Sequence, residues 1–181
     1  DVISVINGTE NICKYIDMPV QHITDNVLKS MRRGITKKNL TGLLEKMRNE
    51  IPGIALRTTF IVGYPDETEK DFLELSDFVK EFEFDRLGVF TYSHEDGTAA
   101  AEIPDRIPAK EKLSRQKHIL DIQKEISVKK NSETKGSELK VLVDRKENGY
   151  FIGRSYRDAP EIDQEVYISN KDLTTGNFIN V

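Results

Sequence analysis

YIDMPVQHITDNVLKSMRRG, residues 15–34, is the stretch on which the reading of this chain turns. A short strand-like run closes at Pro19, the polar pair Gln21 and His22 follows at once, and a short amphipathic helix comes next. Thr24 is placed to cap that helix, Val27, Leu28 and Met31 form its apolar stripe, and Gly34 is its stop signal. This is the layout of a strand end in an α/β barrel, where the loop after a strand carries the chemistry. Whether Gln21 and His22 form a site or a satisfied turn depends on the rest of the chain.

The neighbouring segments repeat the strand–helix alternation. Cys13 to Met18 reads as a strand and Asp25 to Arg33 as a helix. A second helix spans about Lys37 to Glu50, with Thr36 as its cap and Leu40, Leu43, Leu44 and Met47 at helical spacing, and Pro52-Gly53 breaks it. LRTTFIV (56–62) is a β-branched, nearly continuous strand of the kind buried on both faces in parallel sheets. Gly63-Tyr-Pro65 turns the chain, Thr68 and Asp71 form a capping pair, and a helix runs on to about Phe82. RLGVFTY (86–92) is a third strand. Strands alternating with helices imply βαβ units and a parallel sheet.

Beyond the third strand the pattern changes twice. Residues 93–108 form a polar loop, and a long charged helix follows from about Ala109 to Glu133, with Leu113, Ile119, Ile122 and Ile126 toward its packing side. After Gly136 come short strands, Glu138 to Asp144, Tyr150 to Ser155 and Glu165 to Ser169, with Asn148-Gly149 as a hairpin signal. The expected organisation is an α/β unit over 1–108, a linking helix over 109–136 and a small β-rich module over 137–181. Both ends read as cut. Asp1 to Ile6 look like the tail of an element, and Phe178 to Val181 like a strand without a partner.

Composition narrows the function classes. Of 181 residues, 37% are hydrophobic and 32% charged, which describes a polar protein that can still bury a core. A net charge of -4 argues against a nucleic-acid-binding surface over the whole chain. No apolar run approaches a membrane span, and no signal peptide is visible at the start. The single cysteine, Cys13, excludes an internal disulfide framework, fits a cytosolic protein, and excludes a multi-cysteine metal or cluster site built from these residues alone.

Several stretches carry candidate chemistry. Period-2 spacing puts Arg57, Thr59 and Ile61 on one face of their strand, with Gly63 continuing it. A buried arginine needs a partner. Either it holds a carboxylate or phosphate of a ligand, or it forms an internal ion pair with a carboxylate such as Asp17. Gly63 to Thr68 opens a helix, but Asp66 and Glu67 would repel a phosphate there. His94 reads as an exposed loop histidine and His118 as a solvated helix residue. Arg32 and Arg33 face a substrate or simply solvent. Asp158, Glu161, Asp163 and Glu165 make an acidic loop suited to a basic protein partner, or an ordinary solvated loop.

Four ordered segments, YIDMPVQHITDNVLKSMRRGIT (15–36), LRTTFIVGYPDETEKDF (56–72), FTYSHEDGTAA (90–100) and GYFIGRSYRDAPEIDQEVYI (149–168), resemble the methylthiotransferases of the radical S-adenosylmethionine superfamily. Within that family the likeness is greatest to the branch that modifies an aspartate of a small-subunit ribosomal protein. The sister branch, which methylthiolates adenosine in tRNA, reads HLPVQSGS where this chain has IDMPVQHI, and Arg-Pro-Gly-Thr where it has Glu95-Asp-Gly-Thr98.

The resemblance implies the C-terminal half of a partial, TIM-like (β/α) radical-SAM barrel followed by a β-rich TRAM domain. It implies a methylthio transfer to the β-carbon of an aspartate, with S-adenosylmethionine and two four-iron, four-sulfur clusters as cofactors. The family's CxxxCxxC motif is not in these residues, and Cys13 matches none of the cluster ligands. The fragment alone is therefore expected to be inactive. Gln21, Arg57, Thr59, Val62 and Gly63 are implied near the cosubstrate, with Phe90, Tyr92 and Ser93 closing near its adenine. Asp66 stands where many relatives have glycine. His22, Arg32, Asp158, Glu161 and Asp163 are implied to meet the basic ribosomal protein, with access between the strand ends and the TRAM module. Ribosome contact follows; membrane and direct nucleic-acid contact do not. The competing readings are a tRNA adenosine methylthiotransferase and a non-catalytic module that binds a ribosomal protein.

Overall fold

The LRTTFIV run becomes the middle strand of a parallel sheet. In the computed structural model, which describes residues 1–169 and 172–181, β1 (Tyr15–Asp17), β2 (Ala55–Val62) and β3 (Arg86–Thr91) pair in the order β1-β2-β3. Helices α2 (Asp25–Ser30) and α3 (Lys37–Glu50) connect β1 to β2, α4 (Glu69–Phe82) connects β2 to β3, and α5 (Ala109–Glu133) packs on β3 and α4. Residues 1–6, expected as the tail of an element, belong to α1 (Val2–Gly8), where the Asp1 carboxylate accepts from Ile3 N–H at 2.7 Å.

Side chains written into the sequence set the helix starts. Thr36 Oγ1 accepts from Asn39 N–H at the head of α3, and Thr68 and Asp71 close a reciprocal capping box at the head of α4. Thr24 stands at the N-cap of α2 but its side chain makes no capping bond; its hydroxyl lies 3.1 Å from His22 Nδ1. Helix α2 also stops earlier than its apolar stripe suggests. Arg32 (φ 55°) and Gly34 (φ 64°) both take left-handed backbone just after it.

Strand β2 is buried on one face rather than two. Leu56, Thr58, Phe60 and Val62 lie fully under the helices, while Arg57, Thr59 and Ile61 alternate with them on a half-buried face. The buried face meets an aromatic cluster in which Phe84 touches Phe60, Phe78 and Phe82 at centroid distances of 5.8, 6.0 and 4.5 Å. Burial of such rings contributes about 1.5–3 kcal/mol each.

Helix α5 departs from the expected apolar stripe. Ile119 and Ile126 are buried, but Leu113 is 58% exposed, and Lys112, Arg115 and Gln123 are buried beside them. Their donors are engaged: Gln123 Nε2 donates to the Phe84 carbonyl at 3.0 Å, Arg115 pairs with Glu67, and Lys112 with Asp105, while Gln123 Oε1 has no partner among the described residues.

The C-terminal strands β4 (Lys140–Glu147), β5 (Tyr150–Ser155), β6 (Val166–Ile168) and β7 (Phe178–Asn180) form one antiparallel sheet in the order β6-β5-β4-β7. Asn148 (φ 48°) and Gly149 (φ 85°) supply the paired left-handed residues of a tight hairpin. Phe178 to Val181 do have a partner: β7 pairs with β4, Val141 opposite Ile179. Val141, Val143, Phe151 and Ile168 make a separate small core.

Candidate functional site

Residues at the two ends of β2 lie in different surroundings. Arg57 sits near the strand start, six residues before Gly63, or about 20 Å at roughly 3.3 Å per residue. Its neighbour in register on β3 is Arg86, so two guanidinium groups lie side by side on one face. Both are met by carboxylates. Arg57 Nε lies 3.3 Å from Asp17 and its Nη1 donates to Asp163 at 2.6 Å. Arg86 Nε donates to Asp158 at 3.1 Å, with Nη2 also bonded to it, and Nη2 reaches Gln164 at 3.2 Å. The internal ion-pair reading of Arg57 thus holds, with Asp17 as one partner and Asp163 as a second.

At the strand ends, Pro19 interrupts β1 and Gln21 resumes the pairing. Its N–H donates to the Thr59 carbonyl and its own carbonyl accepts from Ile61, both at 2.8 Å, with Gln21 in left-handed backbone (φ 73°). The backbone of Gln21 is committed, which leaves its half-buried amide for another partner. On β3, Val89 is buried toward α5, and Phe90 on the opposite face is 61% exposed. Tyr92 follows, stacked edge-on against Tyr64 at 5.3 Å, and its buried hydroxyl has no partner among the described residues.

Gly63 (φ 71°) packs against the stem of Lys112, so closely that a Cβ would lie 2.4 Å from Lys112 Cγ. The close approach that Gly63 permits is therefore taken up by α5. Its N–H donates to Glu67 Oε2 at 2.6 Å, and Arg115 donates to Glu67 Oε1 at 2.8 Å. Burial pushes the Glu67 carboxyl up, opposed by Arg115 and by the N–H groups of Gly63 and Tyr64. His22 is wholly buried beside this knot, its Nε2 3.9 Å from Glu67 Oε2 and without a hydrogen bond. Nδ1 accepts from Thr24 N–H at 3.2 Å, which leaves the ring proton on Nε2. Burial lowers the His22 pKa to about 4; Asp71 opposes the shift and Arg115 adds to it.

The expected site residues are thus divided. Gln21, Thr59, Phe90, Tyr92 and Ser93 remain on or near the strand-end face. The Val62 side chain is fully buried under the helices, so contact through it is corrected to a core role. His22 is likewise buried at 0% exposure, which removes it from any surface that meets a protein. Arg32 is exposed, whereas Arg33 donates to the Pro19 carbonyl at 2.9 Å. Asp158 and Asp163 keep only 5% and 7% of their side chains exposed, engaged by the arginines, while Glu161 is exposed. Sequence reading missed Arg86, Glu67, Arg115 and Lys112. Strand parity relates Arg86 to Arg57, but only a fold brings Glu67 to Arg115.

Among the described residues no group of three or more His, Cys, Asp or Glu is placed to hold a metal ion, and Cys13 is exposed. One thiolate does not make a four-iron, four-sulfur site, so these residues do not fit a cluster. The strand-end face offers an exposed aromatic ring at Phe90, a hydroxyl at Tyr92 without a partner among the described residues, and the half-buried amide of Gln21.

Comparison with known proteins bears on the family and the fold. Residues 7–79 match the Radical SAM superfamily and residues 136–181 the TRAM domain. Coproporphyrinogen III oxidase (HemN) from Escherichia coli, described as a radical SAM enzyme, superposes with a TM-score of 0.51 at 23% identity, over 79% of this chain and 31% of that one. This chain belongs to the radical SAM superfamily and carries a TRAM domain. Two relatives make the likeness more particular. The ribosomal protein uS12 methylthiotransferase RimO of Cytophaga hutchinsonii is 52% identical over 100% of this chain, and that of Chloroherpeton thalassium 52% identical over 98%. The chain is RimO-like throughout, and it spans 42% of the length of each of those relatives.

Proposed function

We propose that the whole protein is a methylthiotransferase that adds a methylthio group to the β-carbon of an aspartate in a small-subunit ribosomal protein, in the cytoplasm. The observation that carries this reading is the unbroken similarity to RimO proteins across both the barrel strands and the β-rich module. Residues 1–108 would form the later barrel wall, 109–136 the link and 137–181 the TRAM domain. The cysteines of both clusters would come from outside these residues.

S-adenosylmethionine, when bound, supplies the methyl group and the radical chemistry that an unactivated C–H bond demands. The residues of this chain bind, orient and exclude water. Gln21 offers its amide to a polar group of the cosubstrate, Phe90 offers its ring to the adenine, and the Tyr92 hydroxyl gains the partner it lacks. Thr59 and Ser93 border the same face. Arg57 has no part in this step, since its guanidinium is held at the other end of the strand. Glu161 and Arg32 remain as exposed candidates for meeting the ribosomal protein.

Mass spectrometry of ribosomal protein and of tRNA nucleosides, from a strain lacking the full-length gene, tests the substrate. Loss of the modification from the ribosomal protein alone is expected; loss from tRNA alone would overturn the reading. Within the site, Gln21→Ala in the full-length enzyme is expected to weaken cosubstrate binding by about tenfold, the worth of one good hydrogen bond.

A further inference from the structure

The loop between β5 and β6 is an intramolecular receptor for two arginines. Each of its aspartates uses one oxygen inside the loop and offers the other to the barrel. Asp158 Oδ2 accepts from Ser155 Oγ at 2.6 Å while Oδ1 takes Arg86. Asp163 Oδ2 accepts from Ala159 N–H at 2.8 Å while Oδ1 takes Arg57. Tyr156 adds a third tie, its hydroxyl donating to the Gly53 carbonyl at 2.9 Å. Neither carboxylate has to be ordered when the arginines arrive, so little entropy is lost per bond. The arginines in turn lie side by side in register on β2 and β3, where like charges destabilise the pairing unless they are neutralised. Arg57 has a second carboxylate in Asp17, but that group is 46% exposed, whereas Asp163 and Asp158 are almost wholly withdrawn from water.

From this we infer that Arg57–Asp163 and Arg86–Asp158 form a double clasp that fixes the TRAM domain at the starting ends of the barrel strands. They are positioning residues: they set where the rest of the TRAM surface stands when a macromolecular substrate arrives. Asp158 and Asp163 are consumed by this contact and are not offered to the substrate, while Glu161 of the same loop stays exposed. The consequence for turnover rests on the methylthiotransferase reading; the clasp itself does not.

The test uses the full-length protein with Arg86→Asp, Asp158→Arg and the charge-swapped double variant. Hydrogen exchange is followed in residues 55–58, 86–88 and 155–164. Each single reversal is expected to speed exchange in the loop and at the strand starts together by about tenfold or more, as the loss of a largely buried pair requires. The swap is expected to recover most of that protection. Unchanged loop exchange in the single variants, or a swap no better than either, would overturn the clasp. Should the reversals fail to fold, Asp158→Asn with Asp163→Asn gives the same readout more gently, and unaltered loop exchange there counts equally against it. In the activity arm, the single variants are expected to raise KM for the ribosomal protein about tenfold with kcat retained, and the swap to restore it. A wild-type protein that shows clasp coupling in exchange yet no methylthio transfer leaves the clasp standing and removes the activity reading.

Discussion

The two ends of the parallel sheet solve the problem of polar groups on an open face in opposite ways. At the strand starts, Arg57 and Arg86 are neutralised by Asp163 and Asp158, 106 and 72 residues away in the chain. At the strand ends, Gln21, Phe90 and Tyr92 keep an amide, a ring and a hydroxyl uncommitted, while the carboxylates of Glu67 and Asp105 nearby are held by Arg115 and Lys112 of α5. The difference separates stability from binding. Satisfied charges hold the domains together, and the Tyr92 hydroxyl, like that of Tyr15 at the strand starts, is a buried group without a partner among the described residues. In (β/α) barrels the reaction end is the carboxyl end of the strands, and the same division applies here.

The largest test of that contrast is Arg115→Met, which strands Glu67 in the interior. A loss of about 3–5 kcal/mol is expected in denaturation of the full-length protein, as for other broken buried pairs. A loss below about 1 kcal/mol would mean that the knot behind Gly63 is not a structural support. Acid comes next. His22 is held neutral with its pKa lowered to about 4, so its contribution is complete above the unfolded value near 6.5 and is lost as the pH falls toward 4. The loss amounts to about 3 kcal/mol over that window. Thermal melts at successive pH values would detect it, and His22→Phe should flatten the profile.

Gly63→Ala is expected to cost roughly 2–3 kcal/mol, combining left-handed backbone with an overlap on the Lys112 stem. Its partner test is Lys112→Ala in the same background, which should recover part of the loss by removing the overlap. The smallest effect on stability belongs to Tyr92→Phe, which deletes an unpartnered buried hydroxyl and should leave stability within about 1 kcal/mol. Cosubstrate affinity measured by calorimetry should nevertheless fall several-fold. No change in affinity would close the strand-end face as a site for that hydroxyl.

Legibility in the sequence followed the range of the interactions. Thr36, the Thr68–Asp71 pair, Pro52-Gly53 and Asn148-Gly149 act over two to four residues, and each helix or turn they mark stands where the sequence puts it. The period-2 rule placed Arg57 with Thr59 and Ile61 correctly. It could not say that only one face of β2 would be fully buried, because that depends on how many elements surround the sheet. Thr24 misled: it stands at the N-cap, but its side chain makes no capping bond and lies against the buried His22 instead. Arg57 and Asp163 lie 106 residues apart, and no local pattern announces such a pair. The strand-end residues were legible as a neighbourhood, Gln21 beside Thr59 and Phe90 beside Tyr92. Separating the committed side chains, His22 and Val62, from the uncommitted ones required knowing which face each occupies.

Helix α5 reaches the barrel through side-chain heads as well as through Ile119 and Ile126: Lys112, Arg115, Gln116 and Gln123 find oxygens of Asp105, Glu67, Val89 and Phe84. Such a helix behaves like a key with four teeth. Adding or removing one residue between Lys112 and Gln123 would rotate the far teeth by about 100° and shift them by about 1.5 Å, so that no sliding could restore all four. The loop at 93–108 carries Asp105, the partner of Lys112, so it too is tied to the spacing within this helix.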